Sequence, residues 1–431
     1  MQSYPLFILS IYCILKLFKK TDGNKFFLFI LMPLTVKGLY SSPVQVVAIE
    51  GVQGFKMKGC IMTSLPISLY CVWQWWERHY QAAHGRPDHI DFDWLDETYL
   101  GRLRQLNAWF GDIGVGNLSP TLDTSFVSML LPYHTMIVPV ILGMPATLQD
   151  VGGYQNHPLN EKQLANLKPV DLAHSPVGEL LAVERDARIA RYGRATQMID
   201  LASPANNAFS LRGMEFYADL LADPPLARHY LQVITETMNA AYRFIGTLFG
   251  PLDSAPLGNC NVTMMSPDVY VDMVRPYDVR FVTEAAASQS VPPRCDLHHC
   301  NVPAESFAKA YRAIPGLRSL QGAVRSDIRA IHACLPEVNF SGMINPVELI
   351  TRPPADLLAD IDHALDAGVS DLALWDVDPQ VTPAKLGDFL RNIARLARRH
   401  GREPGFSFIP ITWEELDWEF PRYHSTDGGQ P

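Results

Sequence analysis

From about residue 70 onwards, segments with helical periodicity alternate with short apolar runs that are typical of strands. The second half shows this alternation most clearly, and there a serine followed by proline at Ser266-Pro267 predicts a helix start. Strands are predicted at 196–201, 295–297, 317–320, 338–340 and 372–374. Helices are predicted at 72–84, 213–221, 225–248, 304–313, 326–333, 354–367 and 383–400.

Strands separated by helices indicate parallel βαβ units. The run 110–117 is interpreted as a strand that passes into a glycine-rich loop, but its glycines do not match the GxGxxG motif of dinucleotide-binding proteins. The alternation therefore predicts an α/β fold, a single (β/α)8 TIM barrel over residues 70–424 with an N-terminal helical extension and insertions. In such a barrel, chemistry takes place at the C-terminal ends of the strands.

Residues 1–45 form an apolar leader that differs in composition from the rest of the chain. Its apolar runs, 6–18 and 26–36, are each shorter than the ~20 residues of a membrane-spanning helix. Lysines end or follow the first run, whereas a signal peptide carries positive charges before its apolar run. An export signal, a membrane anchor and a non-native leader remain alternatives, and contact with a membrane is expected only if the leader is real.

Composition narrows the class of protein. Apolar residues make up 48% of the 431 residues and charged ones 19%, which is typical of a globular protein with a large core. A net charge of −9 without a basic segment argues against nucleic-acid binding. The 7 cysteines are odd in number and lack the spacing of a disulfide framework, so reduced thiols and a cytoplasmic location are expected.

The tripeptide His298-His299-Cys300 is the main candidate for chemistry, because imidazole and thiolate are good ligands for Zn²⁺. Alternate side chains of a strand share one face, so His298 and Cys300 can point the same way. Cys260 and Asp376 follow other predicted strands and would meet them at the same barrel mouth. We predict a zinc site formed by these four residues, with His299 as an alternative ligand if the chain bends at Cys300. Chance occurrence of the tripeptide is the competing interpretation.

Other polar residues lie where a ligand or substrate could approach. Asp327 follows a predicted strand and is a candidate catalytic residue that could orient substrate, although its position also suits the first turn of a helix. Asn206 is a second catalytic candidate that could instead cap a helix. Asp112 and Asn117 lie on the glycine-rich loop and are predicted to contact a cofactor.

Several motifs resemble those of the uroporphyrinogen decarboxylase superfamily. Ser266-Pro267-Asp268 with Pro276-Tyr277 resembles its Ser-Pro-Glu…Pro-Tyr helix, and 296–301 resembles its His-x-Cys-Gly-Asn strand end. The segment 211–224 resembles its Leu-Arg-Gly…Asp-Pro helix, and Asn345-Pro346 and 381–383 fall where the family has similar turns. The match covers roughly residues 75–400 and implies a TIM barrel.

Two chemistries occur in that superfamily. Uroporphyrinogen decarboxylases use no cofactor and carry an Arg-Gln-Ala-Gly-Arg motif that is missing here; Arg86, Arg102 and Arg104 are scattered and are interpreted as solvated surface charges. The other branch holds zinc through His-x-Cys and a later cysteine, and moves a methyl group between a corrinoid and a thiol. His298 and Cys300 match this pattern, but Asp376 stands where the later cysteine is expected.

The resemblance therefore implies a zinc-dependent methyltransferase with a small-molecule substrate and a corrinoid as co-substrate, presented by a corrinoid protein. Zn²⁺ would keep a substrate thiol as the nucleophilic thiolate. A metal-free decarboxylase acting on a tetrapyrrole polycarboxylate and a barrel that binds ligand without turnover are the alternatives.

Overall fold

The structure is a computed structural model of the chain, and it describes residues 63–80, 91–116, 129–130, 136–148, 154–197, 200–300 and 302–409, with short strand segments between residues 12 and 33. The chain divides into two compact units, one formed by 1–65 with 394–405 and the other by 66–393 with 406–431. Most of the leader 1–45, the helix prediction at 81–84 and the barrel end at 410–424 lie outside the described residues.

Fifteen strands are defined in the described residues. In the N-terminal unit they are β1 (Tyr12–Leu17), β2 (Lys20–Thr21), β3 (Asn24–Lys25) and β4 (Leu28–Pro33), with β1 antiparallel to β4 and β2 antiparallel to β3. The others are β5 (Thr63–Cys71), β6 (Met129–Leu130), β7 (Ala146–Leu148), β8 (Tyr154–Asn156), β9 (Thr196–Gln197), β10 (Ala255–Gly258), β11 (Cys295–His298), β12 (Leu317–Ala323), β13 (Asn339–Met343), β14 (Asp371–Val377) and β15 (Arg402–Ile409).

Helices separate most of the later strands. They are α1 (Trp73–Tyr80), α2 (Phe92–Phe110), α3 (Ile137–Ile141), α4 (Glu161–Ala165), α5 (Pro176–Tyr192), α6 (Pro204–Arg212), α7 (Glu215–Ala222), α8 (Pro224–Phe249), α9 (Pro267–Val269), α10 (Arg275–Ser288), α11 (Glu305–Tyr311), α12 (Ile328–Cys334), α13 (Pro346–Thr351), α14 (Pro354–Asp366) and α15 (Pro383–Arg399). Among the described residues, no helix is both long and hydrophobic enough to span a membrane.

The central element is a seven-stranded sheet in the order β10-β11-β12-β13-β14-β5-β15. The five pairings from β10 to β5 are parallel, and between β10 and β14 a helix follows each strand, as βαβ units require. The structure thus belongs to the α/β class and agrees with a TIM-like arrangement, while a closed eight-stranded barrel stays a prediction.

Apolar residues of the central strands form the core beneath the site. Leu257, Leu297, Leu320, Phe340 and Leu372 are each at most 1% exposed and come from five successive strands. Because side chains alternate along a strand, the residues between these positions point to the opposite face, which carries the polar groups described below.

The N-terminal part of the described fold differs from two sequence-based interpretations. The run from Phe110 is not a strand: α2 ends at Phe110 and a 3-10 turn occupies Gly111–Ile113. Leu95, Tyr99, Leu106 and Phe110 are buried at helical spacing, a pattern that continues through the supposed strand start. Arg102 is not a surface charge either, since it is only 2% exposed and its guanidinium lies 4.9 Å from the centre of the Trp76 ring.

Candidate metal centre

Three of the residues predicted as metal ligands come together. Cys260 follows β10, His298 is the last residue of β11, and Cys300 lies in the turn after it. One ligand atom from each of these side chains lies within 4.8 Å of the others. All three are partly exposed, so the cluster lies at the C-terminal edge of the parallel sheet within reach of solvent.

Cys300 lies beyond the end of β11, whereas the sequence predicts that it shares a strand with His298. β11 ends at His298, and Cys300 adopts a left-handed conformation with φ of 62°. Ala202 and Asp376 are also left-handed, with φ of 57° each, and so is Ser290 just after α10, although none of them is glycine. Such conformations cost energy and concentrate where function requires a particular side-chain direction.

The segment around Asn206 supports Cys260. Ser203 caps α6 and donates its hydroxyl to the Gly258 carbonyl at 2.9 Å, which fixes the start of α6 against the end of β10. Asn206 Oδ1 accepts the Asn261 amide at 2.9 Å, and the Asn206 side chain lowers the pKa of Cys260. The catalytic candidate Asn206 therefore lies beside the cluster.

The two thiols lie close together, and their interaction shifts their acidities in opposite directions. The Cys300 thiol lowers the pKa of Cys260 despite partial burial, and Asn206 lowers it further. The same contact with Cys260 raises the pKa of Cys300 to about 12. Cys260 is thus the sulfur more ready to give up its proton, and a cation placed between the two would favour loss of both.

His298 is oriented by its neighbours. Its Nδ1 lies 2.5 Å from Gln321 Oε1, and its ring stacks on Trp375 with centroids 6.1 Å apart and planes at 15°. Burial alone would lower the pKa of His298, but hydrogen bonds to Cys300 and Gln321 outweigh it and the pKa is raised. Because Nδ1 meets Gln321, Nε2 is the ring nitrogen left for the thiols.

His299, the alternative ligand, lies on the other side of the strand end. It is fully buried, its Nδ1 lies 2.6 Å from the Tyr311 hydroxyl, and its ring packs against Phe307. Burial lowers the pKa of His299 to about 4, with the nearby His298 contributing. It does not belong to the group formed by Cys260, His298 and Cys300.

Asp376, predicted as the fourth ligand, lies outside that group of three residues. Its side chain is exposed at an irregularity of β14 between Leu374 and Val377. Although Asp376 reaches solvent, neighbouring protein atoms displace part of the water around its carboxyl group and raise its pKa. The charge of His298 opposes this rise in pKa. Asp376 is therefore close enough to His298 to interact electrostatically, and its role as a ligand stays a prediction.

Asp327 has a structural role in the described residues. It is exposed, and its Oδ1 accepts the Ala330 amide at 2.9 Å as the N-cap of α12. Replacing an N-cap by alanine leaves a helix amide without a partner, so we expect Asp327→Ala to lower the free energy of unfolding by about 1 kcal/mol in urea denaturation. Asp327→Ser keeps a side-chain oxygen at the N-cap, so it should lower the free energy of unfolding by only a small fraction of this amount. Full stability with lost activity in Asp327→Ser would instead indicate catalysis.

Of the two predicted cofactor contacts, the structure describes Asp112, which is paired within the protein. Both carboxylate oxygens of Asp112 are engaged by Arg391, at 2.8 and 3.1 Å, because the 3-10 turn after α2 lies beside α15. This pairing holds the pKa of Asp112 below its usual range. Asn117 lies outside the described residues.

Two polar residues near the cluster were missed in the sequence. Asp200 interacts electrostatically with Cys260 and His298, and its Oδ1 accepts the Ala202 amide at 2.7 Å. A carboxylate at the end of the predicted strand 196–201 was a signal that could have identified it. Gln321 gave no such signal, because only the pairing of β11 with β12 places it beside His298.

Comparison with known proteins adds little to these observations. No family model matches the chain, and no curated protein matches it. Among solved structures, it is similar to a methyltransferase from Methanosarcina mazei, with 15% sequence identity and a TM-score of 0.47 over 69% of this chain and 84% of that chain. A likeness at this level carries no argument about the reaction, which must come from the site.

Proposed function

We propose that this chain is a zinc-dependent methyltransferase that moves a methyl group between a corrinoid and a thiol. The observation that carries the proposal is the cluster of two thiols and one imidazole at the C-terminal edge of a parallel sheet. The resemblance to the uroporphyrinogen decarboxylase superfamily points to the same chemistry, with Cys260 in place of the later cysteine of the zinc-binding branch.

The cluster suits Zn²⁺ in ligand type and spacing. Tetrahedral zinc with two sulfurs keeps its ligand atoms roughly 3.5–3.8 Å apart, as bond lengths of about 2.3 Å to sulfur and 2.0 Å to nitrogen require. The ligand atoms here lie within 4.8 Å of each other, so small side-chain adjustments bring them into range. Three protein ligands leave one position open, which distinguishes catalytic zinc from structural zinc.

Each ligand residue has a defined task in this proposal. Cys260 and Cys300 lose their protons, Asn206 stabilises the negative charge on Cys260, and Trp375 holds the His298 ring by stacking. When bound, Zn²⁺ supplies Lewis acidity that keeps a substrate thiol deprotonated at neutral pH.

The reaction itself is a transfer of a methyl group without its bonding electrons. As the substrate thiolate attacks, a carbon–sulfur bond forms, the bond from the methyl carbon to the donor breaks, and the donor keeps the electron pair. The thiol would give up its proton to solvent on binding at the cluster, because the cation lowers the pKa of the thiol, so the protein does not need a separate general base. Asp200 and Asp376 lie near enough to influence a substrate at the cluster, since both interact electrostatically with His298.

The test is thiol methylation by the purified protein with methylcobalamin and a small thiol. We expect activity that disappears after removal of metal with a chelator and returns on addition of Zn²⁺. His298→Gln should be inactive, whereas Cys334→Ser, a cysteine on α12 outside the cluster, should match the wild type. Decarboxylation of a tetrapyrrole polycarboxylate at full rate in chelator would overturn the proposal in favour of the decarboxylase. Tight ligand binding without product would favour the non-catalytic barrel.

A further inference from the structure

A row of polar side chains crosses four neighbouring strands next to the cluster. His298 on β11 is paired in register with Gln321 on β12, Gln321 with Ser341 on β13, and Ser341 with Asp371 on β14. Residues in register on parallel strands project from the same face of a sheet. The row therefore runs from the predicted metal ligand to a carboxylate three strands away.

These side chains are linked by hydrogen bonds along the whole row. His298 Nδ1 lies 2.5 Å from Gln321 Oε1, and Gln321 Nε2 lies 3.3 Å from Ser341 Oγ. Ser341 Oγ lies 2.5 Å from Asp371 Oδ1. Each polar side chain contacts the next, so the state of one end constrains the other.

The chemistry of the far end determines the direction of every bond. An ionised carboxylate only accepts, so Ser341 must donate its single hydroxyl proton to Asp371. Ser341 then has only lone pairs for Gln321, and Gln321 must turn its amide group towards it. The carbonyl oxygen of Gln321 consequently faces His298, which must carry its proton on Nδ1.

The reverse arrangement is disfavoured by the same count of protons. If the Gln321 amide faced His298, the ring would need its lone pair on Nδ1 and its proton on Nε2. The Gln321 oxygen would then face Ser341, whose one proton cannot serve both this oxygen and Asp371. A proton on Nε2 would also remove the lone pair from the ring nitrogen left for Cys260 and Cys300.

We propose that Asp371 is a positioning residue that, through Ser341 and Gln321, fixes His298 in the tautomer with its proton on Nδ1 and its Nε2 lone pair towards the two thiols. A metal ligand held in the correct tautomer binds without rearrangement. Only the expected effect on zinc affinity rests on the proposed function, because the tautomer is a property of the metal-free protein.

The first test measures the tautomer by long-range ¹H–¹⁵N correlation NMR on metal-free, reduced protein, at alkaline pH where the imidazole is neutral. The His298 signals are assigned by their absence in His298→Gln. We expect the Nδ1–H form in the wild type and a mixture of both tautomers in Asp371→Asn, because a carboxamide can donate to Ser341 and remove the direction of the row. Asp366→Asn, an exposed aspartate paired with Arg329 on α12, is the matched control and should leave the tautomer unchanged.

A rescue variant separates positioning from general damage to the fold. Gln321→Glu places a carboxylate beside Nδ1, so Gln321→Glu with Asp371→Asn should restore the Nδ1–H form. Zinc affinity, measured by competition with a chromophoric chelator, should fall roughly 10–100-fold in Gln321→Leu.

An Nδ1–H form that persists in Asp371→Asn, or an Nε2–H form in the wild type, would overturn the inference. If the tautomers behave as expected and the wild-type protein binds no zinc, the proposed function fails and the positioning role stands.

Discussion

A Cys300→Ser variant is expected to lose the bound metal. The wild-type protein should contain about one equivalent of zinc per chain by elemental analysis, because two thiolates, one imidazole and an open position form a complete catalytic zinc site. Serine replaces a thiolate by a hydroxyl that stays protonated and binds zinc poorly, which leaves two ligands from the cluster. We expect the zinc content of the variant to fall to a small fraction of the wild-type value.

Cys334→Ser is the matched control, because Cys334 is also a partly exposed free cysteine but lies on α12 and outside the cluster. Cys260→Ser should behave like Cys300→Ser. Equal zinc in wild type and Cys300→Ser, or no zinc in either after growth with added metal, would remove the assignment of the site.

The second large effect concerns the buried Asp278 behind the cluster. Asp278 accepts hydrogen bonds from Asn259 and Tyr270, each at 2.8 Å, and Asn259 directly precedes Cys260. Burial raises the pKa of Asp278 to about 6, although both hydrogen bonds oppose the rise. The carboxylate therefore helps to position the cysteine loop at a cost in stability near neutral pH.

We expect Asp278→Asn to gain stability relative to the wild type as pH rises from about 4 to about 6. In this window the unfolded carboxyl, with a pKa near 3.9, ionises before the folded one, so the unfolded state binds fewer protons and ionisation favours unfolding. Two pKa units correspond to about 3 kcal/mol, and the difference should stay constant above pH 6.

Urea denaturation of both metal-free proteins across this pH range measures the effect, and groups that titrate alike in the two proteins cancel in the comparison. A difference in unfolding free energy that does not change between pH 4 and pH 7 would show that the pKa of Asp278 is the same in the folded and unfolded protein, and would contradict the prediction.

The strands and helices of the second half were predictable, because short apolar runs and helical spacing of apolar residues are local features of the chain. Predicted strands at 295–297, 317–320, 338–340 and 372–374 are confirmed as β11 to β14 with slightly different ends, and the helix predicted to begin at Ser266-Pro267 does so. The strand predicted from Phe110 is wrong, because the buried residues before it recur at helical spacing and α2 ends at Phe110.

Sequence alone determined which residue types were available for chemistry: two thiols and an imidazole near strand ends, with no arginine-rich substrate motif. Local periodicity and capping depend on neighbours in the chain, and so they can be read without a fold. Tertiary structure alone decided which groups meet. The left-handed turn at Cys300 aims its thiol, β10 beside β11 brings Cys260 to His298, and strand register places Gln321 at Nδ1. Register and strand order join residues far apart in the chain, and no local pattern specifies them.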